Sequence, residues 1–211
     1  MHTEFRGLYL VTPDWDDTDR LLAASDAALA AGAALLQYRH KEASPALRRE
    51  QAGALLALCR RHGVPFIVND HIDLCLALDA DGVHVGGLDA GVAAARAALG
   101  PDKIVGASCY GDVARAIDAQ AAGASYVAFG GFYPSRVKKY AVTTQPDILA
   151  QARAAGVTVP AVVIGGMTPV NAAVLVAAGA DMVAAISSVY GMEPAGVTSA
   201  VQAFTALFSR R

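Results

Sequence analysis

Short apolar runs recur along this chain, and each of them ends in glycine or in a polar residue. Val68 is followed by Asn69-Asp70, and Val162–Ile164 is followed by Gly165-Gly166. The runs are roughly four to six residues long and do not alternate with polar residues, as expected for strands buried on both faces of a parallel sheet. The pattern therefore predicts parallel strands that present polar side chains at their carboxyl ends.

Eight strands alternate with eight helices in this prediction. The predicted strands are Gly7–Thr12, Leu35–Arg39, Pro65–Asn69, Gly82–Val85, Lys103–Ala107, Ser125–Phe129, Pro160–Ile164 and Met182–Ile186. The predicted helices are Thr18–Ala31, Pro45–Gly63, His71–Leu78, Ala90–Leu99, Asp112–Ala122, Pro146–Ala155, Pro169–Ala178 and Pro194–Phe208. Eight such units with polar residues at the strand ends are typical of an α/β fold, the (β/α)8 or TIM barrel, whose active sites lie at that end.

A glycine recurs where several of the predicted helices end. Ala31-Gly32-Ala33, Ala122-Gly123-Ala124 and Ala178-Gly179-Ala180 each close a helix before the next strand. This repeat, without a linker or a low-complexity segment, predicts one barrel domain over residues 1–211. The alternative is an open doubly wound sheet, but Thr12-Pro13-Asp14-Trp15 stands where such folds usually carry Gly-x-Gly-x-x-Gly.

Composition narrows the set of partners and compartments. The chain is 55% hydrophobic and 17% charged, with a net charge of −2 and no basic stripe, so we expect a folded protein that binds neither nucleic acid nor a membrane. Three cysteines without a C-x-x-C pair predict neither a disulfide framework nor a zinc site, and they favour a reduced, cytoplasmic compartment. The sequence starts without a signal-like apolar stretch, and none of its apolar runs approaches about 18 residues. We therefore expect neither export nor a membrane span. A homo-oligomer is compatible with the sequence but is not specified by it.

Three polar residues alternate at the end of the second predicted strand. Gln37, Arg39 and Lys41 are two residues apart, so we expect them on one face, with Tyr38 and His40 on the other. An arginine and a lysine at this spacing would hold a multiply charged anion, the arginine through paired hydrogen bonds. The alternative is a solvated strand end.

Two aspartates follow adjacent predicted strands. Asp70, preceded by Asn69, follows the third strand, and Asp89 follows the fourth. Carboxylates from neighbouring strand ends can share one Mg²⁺, which takes one or two carboxylates and fills its other positions with water and phosphate oxygens. Because both aspartates precede predicted helices, each can instead be a helix N-cap.

Glycines, hydroxyls and cations gather after the last three strands. Gly130-Gly131 opens a long segment that carries Ser135-Arg136-Val137-Lys138-Lys139, an expected anion-binding loop that closes over a ligand. Gly165-Gly166 and Ile186-Ser187-Ser188 follow the seventh and eighth strands, where barrels commonly bind phosphate through backbone N–H groups. The alternatives are a solvated loop and simple tight turns.

Two further side chains are candidates at this end of the predicted barrel. Ser108, after the fifth strand, can bond a ligand hydroxyl, ring nitrogen or phosphate, whereas His84 is expected to be an interior, hydrogen-bonded histidine rather than a catalytic one. Two anion sites and a Mg²⁺ site imply two phosphorylated ligands, or one ligand with two charged ends. A metal over a diphosphate makes it a good leaving group.

The chain resembles the thiamine-phosphate synthase family along nearly its whole length. Each matching motif is weak alone, but the ordered set is specific. The motifs are Gln37-Tyr38-Arg39-x-Lys41, Val68-Asn69-Asp70, Asp81-Gly82-Val83-His84-Val85-Gly86-x-x-Asp89, Gly106-x-Ser108, Tyr126 through Lys138, Ile164-Gly165-Gly166 and Ile186-Ser187.

The resemblance implies a Mg²⁺-dependent transferase. Such an enzyme joins hydroxymethylpyrimidine pyrophosphate to a thiazole phosphate, or to its carboxylated form, giving thiamine phosphate and pyrophosphate. Pyrophosphate leaves first, and the thiazole nitrogen captures the resulting pyrimidine methylene cation. By this resemblance the pyrimidine substrate is held by Gln37, Arg39, Lys41, Asn69, Ser108 and Lys138, with Arg39, Lys41 and Lys138 as catalytic residues. Asp70 and Asp89 would bind Mg²⁺, and the thiazole phosphate would meet Ser135, Arg136, Val137, Gly166, Ile186 and Ser187.

The chain departs from the family pattern at three positions. Val137 replaces the second threonine of Thr-x-Thr-Lys and lacks its hydroxyl, Gly87 replaces a glutamine, and Gly131 stands where other members have proline or a larger residue. One alternative function is a thiazole tautomerase on the same barrel, which would not need both aspartates. Another is a non-catalytic barrel that binds a phosphorylated ligand, which the missing hydroxyl favours. A sugar-phosphate isomerase or aldolase with Lys41 as a Schiff-base lysine fits less well.

Overall fold

Eight parallel strands close into a barrel in which each strand pairs with its neighbours in the sequence, and the last strand pairs with the first. The computed structural model describes residues 5–86, 89–134 and 144–209, with the backbone alone for residues 89, 90 and 194. The strands are β1 (Gly7–Val11), β2 (Leu35–Tyr38), β3 (Phe66–Asn69), β4 (Gly82–Val85), β5 (Ile104–Tyr110), β6 (Tyr126–Gly130), β7 (Ala161–Ile164) and β8 (Met182–Ala185). The predicted (β/α)8 barrel is therefore confirmed.

Helices alternate with the strands around this barrel. Those described are α1 (Thr18–Ala30), α2 (Pro45–His62), α3 (Ile72–Leu78), α4 (Asp89–Leu99), α5 (Val113–Ala121), α6 (Ile148–Ala154), α7 (Pro169–Ala177), α8 (Ser187–Tyr190) and α9 (Pro194–Thr205). None of these helices is long and apolar enough to cross a membrane.

Helix α2 begins and ends as its sequence predicts. The Ser44 hydroxyl accepts a hydrogen bond from the Leu47 backbone N–H at 3.2 Å, and Pro45 occupies the first turn, where its missing N–H costs nothing. Gly63 ends the helix in the left-handed conformation, with φ of +66°. These local signals place α2 between β2 and β3.

The pleat of the strands divides the core into two layers. Leu8 and Leu10 of β1 point outward and pack beneath the helices, whereas Tyr9 and Val11 point into the barrel. The interior layer contains Tyr9, Val11, Leu35, Ile67, Ile104, Tyr126, Ala128, Val162, Met182 and Ala184. Since this layer fills the barrel, an open site is confined to the rim.

Two predicted features differ from the structure. Strand β5 extends to Tyr110 rather than ending at Ala107, because Tyr110 still pairs with β6 across a register shift that begins after Ser108. Helix α8 was not predicted, since four residues are too few to carry a helical period. Both differences lie at the carboxyl rim.

All three cysteines lie within the described residues, where they are buried thiols rather than disulfide partners. Burial raises the pKa of the Cys59 thiol to about 12 and that of Cys75 to about 11, so neither forms a thiolate near neutrality.

We expect a thiol-specific reagent at mildly alkaline pH to label none of the three cysteines in the native protein and all three after denaturation. Rapid labelling of the native protein would contradict this core.

Candidate active site

A pocket opens at the carboxyl rim, above the interior layer. It brings together predicted side chains from β2, β3 and β5 and from the segment after β8. The predicted residues that line it are Gln37, Arg39, Lys41, Asn69, Asp70, Ser108 and Ile186. Tyr9, Val11, His84, Gly86, Tyr110, Ala128, Val162, Ile164 and Ala184 complete the lining.

The end of β2 presents its side chains as the alternation predicts. Gln37, Arg39 and Lys41 all face the pocket. Tyr38 faces the other side, where its hydroxyl donates a hydrogen bond to Gln51 Oε1 at 3.0 Å. The two cationic side chains of this segment therefore lie at one mouth of the barrel.

Asp14, which the sequence analysis did not single out, holds the Arg39 side chain and the Lys41 backbone in place. Its carboxylate accepts two hydrogen bonds from Arg39 Nη1, at 3.2 and 3.3 Å, and one from the Lys41 backbone N–H at 2.8 Å. Asp14 follows β1, which pairs with β2, so a polar residue after a strand was the available signal. Asp14 fixes the positions of two residues that face the pocket.

The ion pair restrains Arg39 without occupying all its donors. Arg39 is only 7% exposed, and a buried guanidinium needs a compensating charge. Thr12 adds a pair of bonds, since its hydroxyl donates to the Arg39 carbonyl at 3.0 Å and accepts from the Arg39 N–H at 2.8 Å. Among the described residues only Nη1 of the guanidinium is engaged, which leaves Nε and Nη2 for an anion in the pocket.

Asp70 is placed at the rim by its backbone. It has a left-handed φ of +63°, a conformation that aspartate tolerates better than most residues, and its N–H donates to the His84 carbonyl at 2.9 Å. Asn69 Nδ2 donates to the Asp70 carboxylate at 2.7 Å. Helix α3 is preceded by His71, so Asp70 is not its N-cap and the alternative capping role does not apply.

Several predicted site residues lie partly or wholly outside the described part of the structure. Asp89 is the first residue of α4, and its side chain is outside the described part. Ser135, Arg136, Val137 and Lys138 also lie outside the described residues. Within the described part no cluster of three or more histidine, cysteine or acidic side chains is arranged to hold a metal.

The ends of the long segment after β6 meet at the rim. The Thr144 hydroxyl donates to the Gly130 carbonyl, and the Thr144 N–H donates to the Gly131 carbonyl at 3.3 Å. These bonds return the chain to the end of β6, beside the pocket.

The segments after β7 and β8 form the opposite side of the rim. Gly166 has a φ of +61°, and a Cβ there would overlap the Pro134 carbonyl and lie 3.0 Å from Tyr133 Cβ. After β8, Ile186 precedes α8 and Ser187 is its first residue. The Ser188 hydroxyl is buried and has no hydrogen-bond partner within the described part. A short helix after the eighth strand is where such barrels often bind phosphate.

A chain of hydrogen bonds, buried except at its Ser108 end, runs along the floor of the pocket. Gln37 Nε2 donates to the Tyr9 hydroxyl, which lies 2.7 Å from the Tyr126 hydroxyl. His84 Nδ1 lies 2.9 Å from the Tyr126 hydroxyl, and His84 Nε2 lies 2.8 Å from Ser108 Oγ. Burial raises the pKa of both tyrosines well above their usual range, so both stay protonated. His84 is the interior, hydrogen-bonded histidine that the sequence predicts.

Tyr9 and Tyr126 were missed by sequence reasoning. Each is a tyrosine within an apolar strand, which signals a buried hydroxyl that needs a partner, but neither follows a strand end. Their partnership depends on Gly106, which lies in register between His84 and Tyr126. A Cβ at Gly106 would lie 2.6 Å from Tyr126 Cε2, so glycine leaves the space that this ring occupies.

A closed eight-stranded barrel with a polar pocket at its carboxyl rim defines a (β/α)8-barrel enzyme. The family model described as thiamine monophosphate synthase matches residues 8–189. A thiamine-phosphate synthase from Janthinobacterium sp. (strain Marseille) is 63% identical over 211 residues, covering 100% of both chains. One from Methylobacillus flagellatus is 53% identical over 185 residues, 88% of each chain. The solved thiamine phosphate pyrophosphorylase from Pyrococcus furiosus superposes with a TM-score of 0.82 at 29% identity, covering 99% of this chain and 98% of that one. The chain belongs to the thiamine monophosphate synthase family.

We expect Gly166→Ala to cost more stability than its backbone conformation alone explains. Gly63 has nearly the same φ, +66°, and no atom lies within 4 Å of the place that an alanine methyl would take, so Gly63→Ala measures the left-handed cost alone, about 1–2 kcal/mol. The overlap with Pro134 should add about 1–3 kcal/mol in Gly166→Ala. Urea unfolding of the two variants checks the difference, and equal losses would show that the segments after β6 and β7 do not meet here.

Proposed function

We propose that this protein transfers the pyrimidinylmethyl group of hydroxymethylpyrimidine pyrophosphate to the nitrogen of a thiazole phosphate, forming thiamine phosphate and pyrophosphate. One observation carries the proposal: six polar residues that the family resemblance assigns to the pyrimidine substrate and its metal line a single pocket. They are Gln37, Arg39, Lys41, Asn69, Asp70 and Ser108. The full-length identity of 63% to a thiamine-phosphate synthase supports the same reaction.

The diphosphate of the pyrimidine substrate is assigned to the basic side of the pocket. Arg39 and Lys41 reach the same space, and Asp14 and Thr12 restrain the arginine before any ligand arrives. A preorganised guanidinium loses little side-chain freedom when it binds an oxyanion. Asn69 and Lys138 are proposed to complete this subsite.

Asp70 and Asp89 fit a Mg²⁺ that is shared with the diphosphate. Asp70 lines the pocket and directly follows β3, which pairs with β4. Asp89 begins α4, the helix that follows β4. Two carboxylates are fewer than a closed protein cage needs, but they suit Mg²⁺, which keeps water and phosphate oxygens as its other ligands. Bound there, Mg²⁺ would neutralise part of the charge that develops on the leaving diphosphate.

The thiazole phosphate is proposed to bind on the opposite side of the rim. Gly166, Ile186 and Ser187 come from the segments after β7 and β8, the usual phosphate side of this fold. Ser135, Arg136 and Val137 are proposed to close over the same phosphate. Placed here, the two substrates approach each other above the centre of the barrel.

Charge separation is the difficult part of this reaction. When the methylene C–O bond breaks, its electron pair goes to the diphosphate, and the thiazole nitrogen then donates its lone pair to the methylene carbon to form the C–N bond. Arg39, Lys41 and Lys138 are proposed to stabilise the negative charge on the leaving group. Holding both substrates in one pocket supplies the rest of the rate acceleration, because the capture step becomes effectively unimolecular.

We propose a cytoplasmic location and small-molecule partners only, without nucleic acid or membrane. Three buried thiols suit a reducing compartment, and the net charge is close to zero. A homo-oligomer is compatible with this function.

A pyrophosphate-release assay with each substrate alone, with both, and with and without Mg²⁺ tests the proposal. We expect release only when both substrates and Mg²⁺ are present. Isomerisation of a carboxylated thiazole phosphate without pyrimidine or metal would favour the tautomerase alternative. Ligand binding without either reaction would favour the non-catalytic barrel.

Asp70→Asn should lower pyrophosphate release about 100-fold and raise the Mg²⁺ concentration needed for half-maximal rate, because it removes one charged metal ligand. Asparagine also tolerates the left-handed φ at this position, so the fold should persist. Asp73→Asn, an exposed change in the first turn of α3, is the matched control and should leave the rate unchanged. An unchanged Mg²⁺ dependence in Asp70→Asn would remove Asp70 from the metal site.

A further inference from the structure

The hydrogen-bond chain beneath the pocket connects two residues of the proposed pyrimidine subsite through three residues outside the assigned set. Gln37 and Ser108 lie at its ends, and Tyr9, Tyr126 and His84 lie between them. All three intermediate side chains are buried, with His84 at 8% exposure the least so. A continuous buried chain of this kind has a direction, because each hydroxyl carries a single proton.

The orientation of the Gln37 amide shows that direction. The amide nitrogen can only donate, so the Tyr9 hydroxyl accepts a hydrogen bond from Gln37 and donates its own proton to the Tyr126 hydroxyl. The Tyr126 hydroxyl accepts that bond, and its own proton finds its acceptor, among the bonds described, in His84 Nδ1. His84 then carries its proton on Nε2, which donates to Ser108 Oγ.

The direction determines what the two ends present to the pocket. Ser108 Oγ already accepts from His84, so its proton points toward a ligand, and Ser108 acts as a donor. Gln37 has turned its nitrogen toward Tyr9, so its Oε1 remains as an acceptor. The pocket thus offers one donor and one acceptor in fixed places, which complements a ring nitrogen and an amino group on one heterocycle.

We infer that Tyr9, Tyr126 and His84 are positioning residues that set the hydrogen-bonding polarity of Gln37 and Ser108 toward the substrate. The inference rests on the proposed function for the identity of the heterocycle, but not for the polarity itself. Neutral His84 in the Nε2–H form is its signature. If the chain ran the other way, Ser108 would donate to His84, the proton would sit on Nδ1, and both ends would present the opposite character.

The polarity is testable without any ligand. In ¹⁵N-histidine-labelled protein, long-range ¹H–¹⁵N spectra distinguish the two neutral tautomers, and the His84→Gln variant identifies the His84 signals among the five histidines. We expect Nε2 to be protonated and Nδ1 to be unprotonated. A protonated Nδ1 would overturn the inference whatever the enzyme catalyses, and a failed activity assay with the expected tautomer would overturn only the proposed function.

Tyr126→Phe breaks the chain at its centre and should separate positioning from simple packing. We expect KM for the pyrimidine substrate to rise about tenfold, with KM for the thiazole phosphate unchanged, because Gln37 and Ser108 lose the chain of bonds that fixes their orientation. The His84 signals should lose the preference for the Nε2–H form. Tyr38→Phe is the matched control, since it also removes a buried tyrosine hydroxyl bond, on the opposite face of β2.

Substitutions of His84 supply the rescue arm. Glutamine can return a donor near the Nε2 position. We therefore expect KM for the pyrimidine substrate to rise in His84→Ala and to stay close to the wild-type value in His84→Gln. Equal rises of both KM values in Tyr126→Phe, or the same values as in Tyr38→Phe, would show that the chain only supports packing. No gain from His84→Gln over His84→Ala would have the same meaning.

Discussion

The closed ladder of eight parallel strands is the constraint on which the rest of the molecule depends. Closure removes every free edge and fixes the register of each strand against two neighbours, so a side chain that points inward cannot move to the outer face. Tyr9 and Gln37 therefore meet inside the barrel, while Leu10 and Tyr38, one residue further along, pack outside. This two-residue period determines which side chains reach the pocket.

Closure also creates a demand that the sequence must meet. A buried hydroxyl or imidazole without a partner costs about 1–3 kcal/mol. The chain from Gln37 through Tyr9, Tyr126 and His84 to Ser108 meets the demand for all five side chains together. Removal of one member leaves its neighbours unsatisfied, so their contributions are not additive.

The sequence predicted the fold and most of the pocket's polar side chains because both depend on local pattern. Apolar runs specify strands, and a polar residue directly after a run falls at the carboxyl rim, which is how Arg39 and Asn69 were found. Asp14 escaped because its role requires β1 and β2 to be paired side by side, a long-range fact. Tyr126 escaped for the same reason, since its ring crosses Gly106 to reach His84.

The rim and the interior of the barrel have different parts in recognition. Charge is arranged at the rim, where Asp14 restrains Arg39 and where the Lys41 and Asp70 side chains line the pocket within reach of solvent. Hydrogen-bond direction is arranged inside, where nothing charged is needed. Tyr126, which does not line the pocket, can in this way set how Gln37 and Ser108 meet a heterocycle.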